Sequence, residues 1–257
     1  MKVCKLRWRV GRSDDGIFAI LSVPSLDDTL RMNELELTGR ARTHVVELQD
    51  PRCALHYEAI ASFLAMRDAA AVEGIQLSAR SSFRDFETQL SIWNRKWSGE
   101  RPILNRQGQV CLRETLSDAD TVEAILCWSA VPGGSRHHWG SDVDVIDSAA
   151  VPSGYMVQLV PEEYGPDGIF ASLSAWLDAN LHRFGFFRPY RTDRGGVRPE
   201  PWHLSYAPVS GPALESLSLS TLRQVLDASS IAGKPYVMAR LPEIYTRFLL
   251  SIDTPSG

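Results

Sequence analysis

The stretch Gly133-Gly134-Ser135-Arg136-His137-His138-Trp139-Gly140-Ser141-Asp142-Val143-Asp144 places two imidazoles and two carboxylates beside three glycines. Laid out as one straight strand, His137 and Asp144 would stand roughly 23 Å apart, at about 3.3 Å per residue, and would point to opposite faces. Gly140 lets the backbone bend. A chain that turns there and enters a strand over Asp142–Ile146 folds His137 back over Asp144. Within that strand Asp142 and Asp144 are two residues apart and share a face, while Val143 and Val145 point the other way into a core. At least one acid therefore faces a site.

Further along, Glu200-Pro201-Trp202-His203 forms a second constellation. Pro201 biases Glu200 away from helical geometry, so a carboxylate and an imidazole precede a short strand over Trp202–Tyr206. A catalytic zinc ion asks for three N or O ligands and one open position for water. His137, Asp144 and His203 supply such a set, and Glu200 is left as a base. Zinc lowers the pKa of water toward 7, and a free carboxylate nearby can take the proton and pass it to a leaving amine. His138 and Asp142 read as neighbours of this set, and Trp139 and Trp202 as walls of its pocket. His44, His56 and His182 have no ligand-type residue near them in sequence and read as packing or surface residues.

Around these motifs the chain reads as α+β, with a small, mostly antiparallel sheet flanked by helices, because strands and helices do not alternate strictly. Strands are expected over Met1–Val10 and Gly16–Val23, joined by the turn-rich Gly11–Asp15 into a hairpin, and over Ile75–Phe83, Asp142–Ile146 and Tyr155–Val160. Helices are expected over Leu55–Val72, Phe86–Trp97, Ser117–Trp128, Ile169–Phe184, Leu214–Ser229 and Val237–Ile252. The expected organisation is an N-terminal extension over 1–50, packed on a main domain over 51–257. A net charge of -4, from 27 Lys plus Arg against 31 Asp plus Glu, gives no general attraction to nucleic acid. No apolar run is long enough for a membrane span, and the start of the chain lacks the pattern of an export signal, so a cytoplasmic location is expected. The four cysteines are far apart and form no C-x-x-C pair, which suggests reduced, mostly buried thiols.

Four segments, in order, resemble the VanY-type D-alanyl-D-alanine carboxypeptidases, zinc peptidases of the lysostaphin and hedgehog group. Ser135 to Asp144 is similar to their S-x-H-x-x-G-x-x-x-D signature, and Glu200-Pro-Trp-His203 to their E-x-W-H. Ser81-Ser-Phe-Arg84-Asp-Phe-Glu-Thr-Gln89 resembles S-G-Y-R-S-Y-E-T-Q, and Leu181 to Phe186 resembles A-H-K-Y-G-F. The resemblance implies His137, Asp144 and His203 as zinc ligands and Glu200 as general base. It further implies Arg84 as the cation that stabilises the oxyanion, with Ser135 and Gln89 holding the terminal carboxylate. Asp85 and the bulky His138-Trp139 depart from the pattern, which bears on substrate preference. The function implied is removal of the C-terminal D-alanine from peptidoglycan stem peptides or muropeptides. With a cytoplasmic location, L,D-cleavage of recycled tetrapeptides is favoured over D,D-cleavage of pentapeptides. A cross-bridge endopeptidase and a non-catalytic zinc-stabilised binding module are the alternatives, and the oligomeric state is left open. Arg188, Arg191, Arg194 and Arg198, just before Glu200, read either as a solvated face or as a clamp for the carboxylates of an acidic peptide.

Overall fold

Acids alternating with valines over Asp142–Asp147 make a strand that needs an apolar layer on one side and polar partners on the other. The computed structural model describes residues 9–13, 16–20 and 32–255, in two compact units, Met1–Arg31 and Met32–Gly257. In the first, β1 (Arg9–Ser13) and β2 (Gly16–Ile20) pair antiparallel with Ser13 opposite Gly16. The expected hairpin is present, but its first strand runs on through Gly11-Arg12-Ser13, residues that the sequence assigns to the turn. Residues 1–8 and 21–23 of the expected strands lie outside the described residues.

The second unit opens with α1 (Glu34–Leu37) and the hairpin of β3 (Val45–Gln49) and β4 (Arg52–His56). Next come α2 (Ile60–Val72), β5 (Leu77–Ser81) and α3 (Phe86–Trp97). A short pair, β6 (Ile103–Leu104) and β7 (Val110–Cys111), leads to α4 (Asp118–Leu126) and β8 (Asp142–Asp147). The chain continues through α5 (Pro161–Tyr164), α6 (Ala171–Asn180), β9 (Phe186–Phe187) and β10 (His203–Tyr206). It closes with α7 (Ala207–Ser216), α8 (Leu219–Ala228), α9 (Lys234–Ala239) and α10 (Leu241–Ile244). The central sheet has strand order β5-β8-β10-β9, antiparallel throughout. The architecture is the α+β arrangement expected, an antiparallel sheet flanked by helices.

Val143 and Val145 of β8 are wholly buried against Phe63 and Met66 of α2 and Leu173 and Leu177 of α6. Full burial of one such side chain is worth about 1.5–3 kcal/mol, which fixes the register of the strand and hence the face its acids take. A second apolar cluster gathers Trp93, Ile125, Leu222, Leu226 and Ile244 from the helices, and Trp139 belongs to it. The segment from Arg136 to Asp147 thus crosses from the helical core to the sheet core. α3 forms because Asp85 caps it, accepting from the Thr88 N–H at 2.7 Å, while Phe86, Gln89, Leu90 and Trp93 recur at helical spacing on its buried face.

Several expected elements differ. The helix expected from Leu55 begins at Ile60, because Cys53 and Leu55 are buried at strand period in β4. Tyr155–Val160 is not a strand. The N–H groups of Gln158, Leu159 and Val160 donate to the Glu163 carboxylate at 2.9, 2.8 and 3.3 Å, so a side chain takes the place of a neighbouring strand. The helix expected over Leu214–Ser229 is two helices, since Ser218 starts a new one by accepting from the Thr221 N–H. That over Val237–Ile252 is split by Pro242 at the start of α10 and ends in a π-type turn over Tyr245–Leu250.

Candidate active site

The 3₁₀ turn Arg136–Trp139 carries His137 and ends at Gly140, which sits at φ 65°. The chain reverses there and enters β8, as the sequence suggests. On the next strand His203 lies directly opposite Asp144, and Ser205 opposite Asp142. His137 Nε2 is 3.5 Å from Asp144 Oδ2, and His203 Nδ1 is 3.2 Å from Asp144 Oδ1. One donor atom from each of the three residues falls within 4.8 Å of the others, and all three side chains are buried. Asp144 Oδ1 has no hydrogen-bond partner in this buried setting. Glu200 Oε2 completes the group, 3.4 Å from His203 Nδ1.

Both rings have their other nitrogen engaged, which aims the remaining one at Asp144. His137 Nδ1 is 3.0 Å from the Ser82 carbonyl oxygen, and His203 Nε2 is 2.9 Å from Asp142 Oδ1. Asp142 is held in turn by Arg136 Nε at 2.8 Å and by the hydroxyls of Ser141 and Ser205, while Arg136 Nη2 donates to Ser205 Oγ at 2.6 Å. Burial opposes the charge on Asp142, but Arg136 and these donors hold its carboxyl far below the usual range. Burial lowers His137 to about 3 and so favours its neutral form. Burial works against a charged His203 too, yet its hydrogen bond to Asp142 and the nearby carboxylates of Asp144 and Glu200 push this ring above its ordinary value. Glu200 is raised above the ordinary glutamate value, chiefly by burial.

His138 has a different task. Its Nδ1–H donates to the Arg84 carbonyl at 2.6 Å and its Nε2 accepts from the Gly133 N–H at 3.1 Å, so neither nitrogen faces Asp144. The Arg84 N–H donates back to the His137 carbonyl at 3.1 Å. Trp139 is not a pocket wall. Its ring is buried in the helical core and its Nε1–H donates to the Leu37 carbonyl.

A cavity of about 250 Å³ opens onto the cluster, lined by Arg84, Ser135, Glu200, Trp202 and the three donor residues, with Lys96, Ser129 and Tyr190 on its other walls. Arg84 is fixed through Nη1 to Gln89 Oε1 at 2.8 Å and through Nη2 to Ser81 Oγ at 3.0 Å. Gln89 is wholly buried, is not on the cavity wall, and spends its amide N–H on the Ala130 carbonyl at 2.7 Å. It therefore holds Arg84. None of Arg188, Arg191, Arg194 and Arg198 lines this cavity. Arg188 pairs with Asp178, Arg194 with Asp253 and Arg198 with Asp193, so these three are neutralised by acids close in sequence or in the C-terminal segment. The sequence reading missed Lys96 on the cavity wall, and the Arg136–Asp142 couple behind His203. The seven-residue spacing from Gln89 to Lys96, one stripe of a helix, is the signal that could have found the lysine. Cys53, Cys111 and Cys127 are free thiols, two of them buried.

The sequence profile described as "VanY: D-alanyl-D-alanine carboxypeptidase" matches residues 52–209. An uncharacterised protein of Haemophilus influenzae is 34% identical over 128 residues, which is 49% of this chain and 95% of that protein. A D-alanyl-D-alanine carboxypeptidase of Enterococcus faecalis is 30% identical over 145 residues, 54% of this chain and 43% of that protein. Among solved structures, the vancomycin-resistance D,D-pentapeptidase VanY in complex with Zn(II) aligns with a TM-score of 0.46 at 21% identity, over 75% of this chain and 88% of that one. The LdcB LD-carboxypeptidase aligns with a TM-score of 0.45 at 22% identity, over 76% and 77%.

Proposed function

Because the chain belongs to the VanY D-alanyl-D-alanine carboxypeptidase family, we propose that it is a zinc metallocarboxypeptidase that removes the C-terminal D-alanine from peptidoglycan stem peptides. The observation that carries this reading is the convergence of His137, Asp144 and His203 within 4.8 Å, with a buried Asp144 oxygen left without a hydrogen-bond partner. Two imidazole nitrogens and one carboxylate oxygen are the donor types of a catalytic zinc site with an open position, and both rings carry the supporting hydrogen bonds such ligands need. His137, Asp144 and His203 would hold the ion. When bound there, zinc supplies Lewis acidity, which lowers the pKa of water and polarises a carbonyl.

The protein's own groups do the rest. Glu200, raised by burial, is basic enough to take a proton from water and to pass it to the departing amine. The Arg84 guanidinium, locked by Gln89, Ser81 and the His138 hydrogen bond to its carbonyl, faces the negative charge that develops on the scissile oxygen. Ser135, buried on the cavity wall, would donate to the terminal carboxylate of the substrate. The buried Arg136–Asp142 pair sets the orientation of His203.

The test is to incubate the protein with defined tetrapeptide and pentapeptide muropeptides, with and without a chelator, and to weigh the products. Loss of one alanine that needs zinc supports the reading, and the peptide cleaved separates L,D- from D,D-activity. Glu200→Gln is expected to lower kcat by about 10²–10⁴-fold, the usual contribution of a general acid–base group, while zinc still binds. Internal cleavage would favour an endopeptidase, and unchanged peptides a non-catalytic zinc module.

A further inference from the structure

Lys96 stands on the last turn of α3, on the wall of the same cavity as Arg84 and Glu200. Its Nζ donates to Ser129 Oγ at 2.7 Å, and among the described residues no carboxylate is within ion-pair distance of it. An ammonium has three donors, so this one keeps capacity for a ligand. The other two cations on the wall have tasks of their own: Arg84, held by Gln89 and Ser81, faces the reacting centre, and Arg136 pairs with Asp142 and Ser205 behind His203 while its Nη1 is buried without a partner. Gln89, which family resemblance would assign to the substrate carboxylate, has both ends of its amide used inside the protein. A carboxypeptidase must still recognise a carboxylate, and Lys96 is a cation on the cavity wall with donors to spare.

We propose that Lys96 is a specificity-determining residue whose ammonium binds a carboxylate of the peptide substrate in the cavity beside Glu200 and Arg84. This rests on the carboxypeptidase reading and deepens it. Along α3, Lys96 is seven residues from Gln89, or about 10 Å of helix rise on the same stripe, so Gln89 holds Arg84 while Lys96 reaches the cavity wall itself. Its long stem lets the ammonium reach toward the substrate, as a point charge that tolerates more than one angle of approach. Burial brings Lys96 down to about 8, opposed by the nearby Glu200, and a carboxylate lying against the ammonium would hold its proton more firmly. The carboxylate could come from two places on one peptide: the terminus of the leaving residue, or the side chain of a diamino-dicarboxylic residue ahead of the scissile bond.

The experiment uses the zinc-loaded full chain, wild type and Lys96→Met, on two tetrapeptides that differ only in whether the side-chain carboxyl is free or amidated. In a second arm, uncleavable peptides ending in a free acid or an amide are compared as inhibitors. If the side chain is the source, amidation lowers wild-type kcat/KM by about 10–100-fold, the worth of one charge-assisted hydrogen bond, and leaves Lys96→Met unaffected. If the terminus is the source, the same pattern appears in the inhibition constants, and Lys96→Arg restores part of the discrimination. The inference is overturned if wild type and Lys96→Met discriminate acid from amide equally in both arms, including the case where the variant is slower on every peptide by one common factor. Urea denaturation of Lys96→Met checks that it folds. A wild-type protein that cleaves none of the peptides instead refutes the carboxypeptidase reading, which is a separate outcome.

Discussion

Replacing Gly140 by alanine tests the link between one backbone turn and the whole site. Gly140 lies at φ 65°, and its carbonyl accepts from the His56 N–H at 2.8 Å. A Cβ there would meet the His56 nitrogen at 2.7 Å, Val45 Cγ2 at 3.1 Å and His56 Cα at 3.3 Å. Two of those atoms are backbone, so no change of rotamer relieves the contact. Left-handed geometry costs a non-glycine residue about 1–2 kcal/mol, and overpacking adds about 1–3 kcal/mol, which puts Gly140→Ala at about 2–5 kcal/mol. Gly154 is the control: it has φ 78° but nothing within 4 Å of its Cβ position, so Gly154→Ala should lose the first term alone. Gly140 also stands between His137 and Asp144. If about 1.4 kcal/mol of the strain is relieved by displacing the turn in the metal-free protein, zinc affinity falls tenfold. The assays are urea denaturation of the metal-free proteins and zinc affinity by competition with a chelator. Equal stability and equal affinity for the two variants would refute the reasoning.

Two further outcomes are expected. Asp142→Asn removes the anion that faces both Arg136 and His203 Nε2, and should lower zinc affinity by about 10–100-fold in chelator competition; unchanged affinity would mean that His203 is oriented without it. His56 and His138 are each brought down to about 4 by burial, with neighbouring His44 adding to the effect on both and Arg84 to that on His138. The unfolded chain takes protons on these rings below about pH 6.5 and the folded chain only near 4, so their stability contribution is complete above 6.5 and lost as pH falls through that window. Each ring contributes a slope of about 1.4 kcal/mol per pH unit there, and urea denaturation of His56→Gln should show a slope shallower by about that amount; an unaltered slope counts against a neutral buried ring.

Local signals made part of this molecule readable. The helix expected over Phe86–Trp97 has the same bounds in the structure, where Asp85 caps it and its buried stripe faces the core. The valine–acid alternation of β8 and the bend at Gly140 bring His137 and Asp144 together on local information alone, whereas His203 enters through the separate Glu200–His203 motif and the donor set a zinc ion needs. Elements set by distant partners were not readable. β4 depends on pairing with β3, and the segment before Glu163 depends on that carboxylate gathering three N–H groups. The same holds at the site. Gln89 looked like a residue for the substrate until the Arg84 and Ala130 hydrogen bonds were known, and Lys96 carried no motif although it lies on the same helical stripe. Arg188 and Arg194 looked available because their partners Asp178 and Asp253 lie outside the run, while the partner of Arg198, Asp193, stands within it.

The most direct test is metal stoichiometry, measured by elemental analysis after reconstitution and dialysis, on wild type and on His137→Ala, Asp144→Ala and His203→Ala. One zinc per chain in the wild type, with affinity lost in every variant, is the predicted result. A wild-type chain that retains no zinc, or variants that retain it as tightly as the parent, would contradict a metal centre formed by these residues.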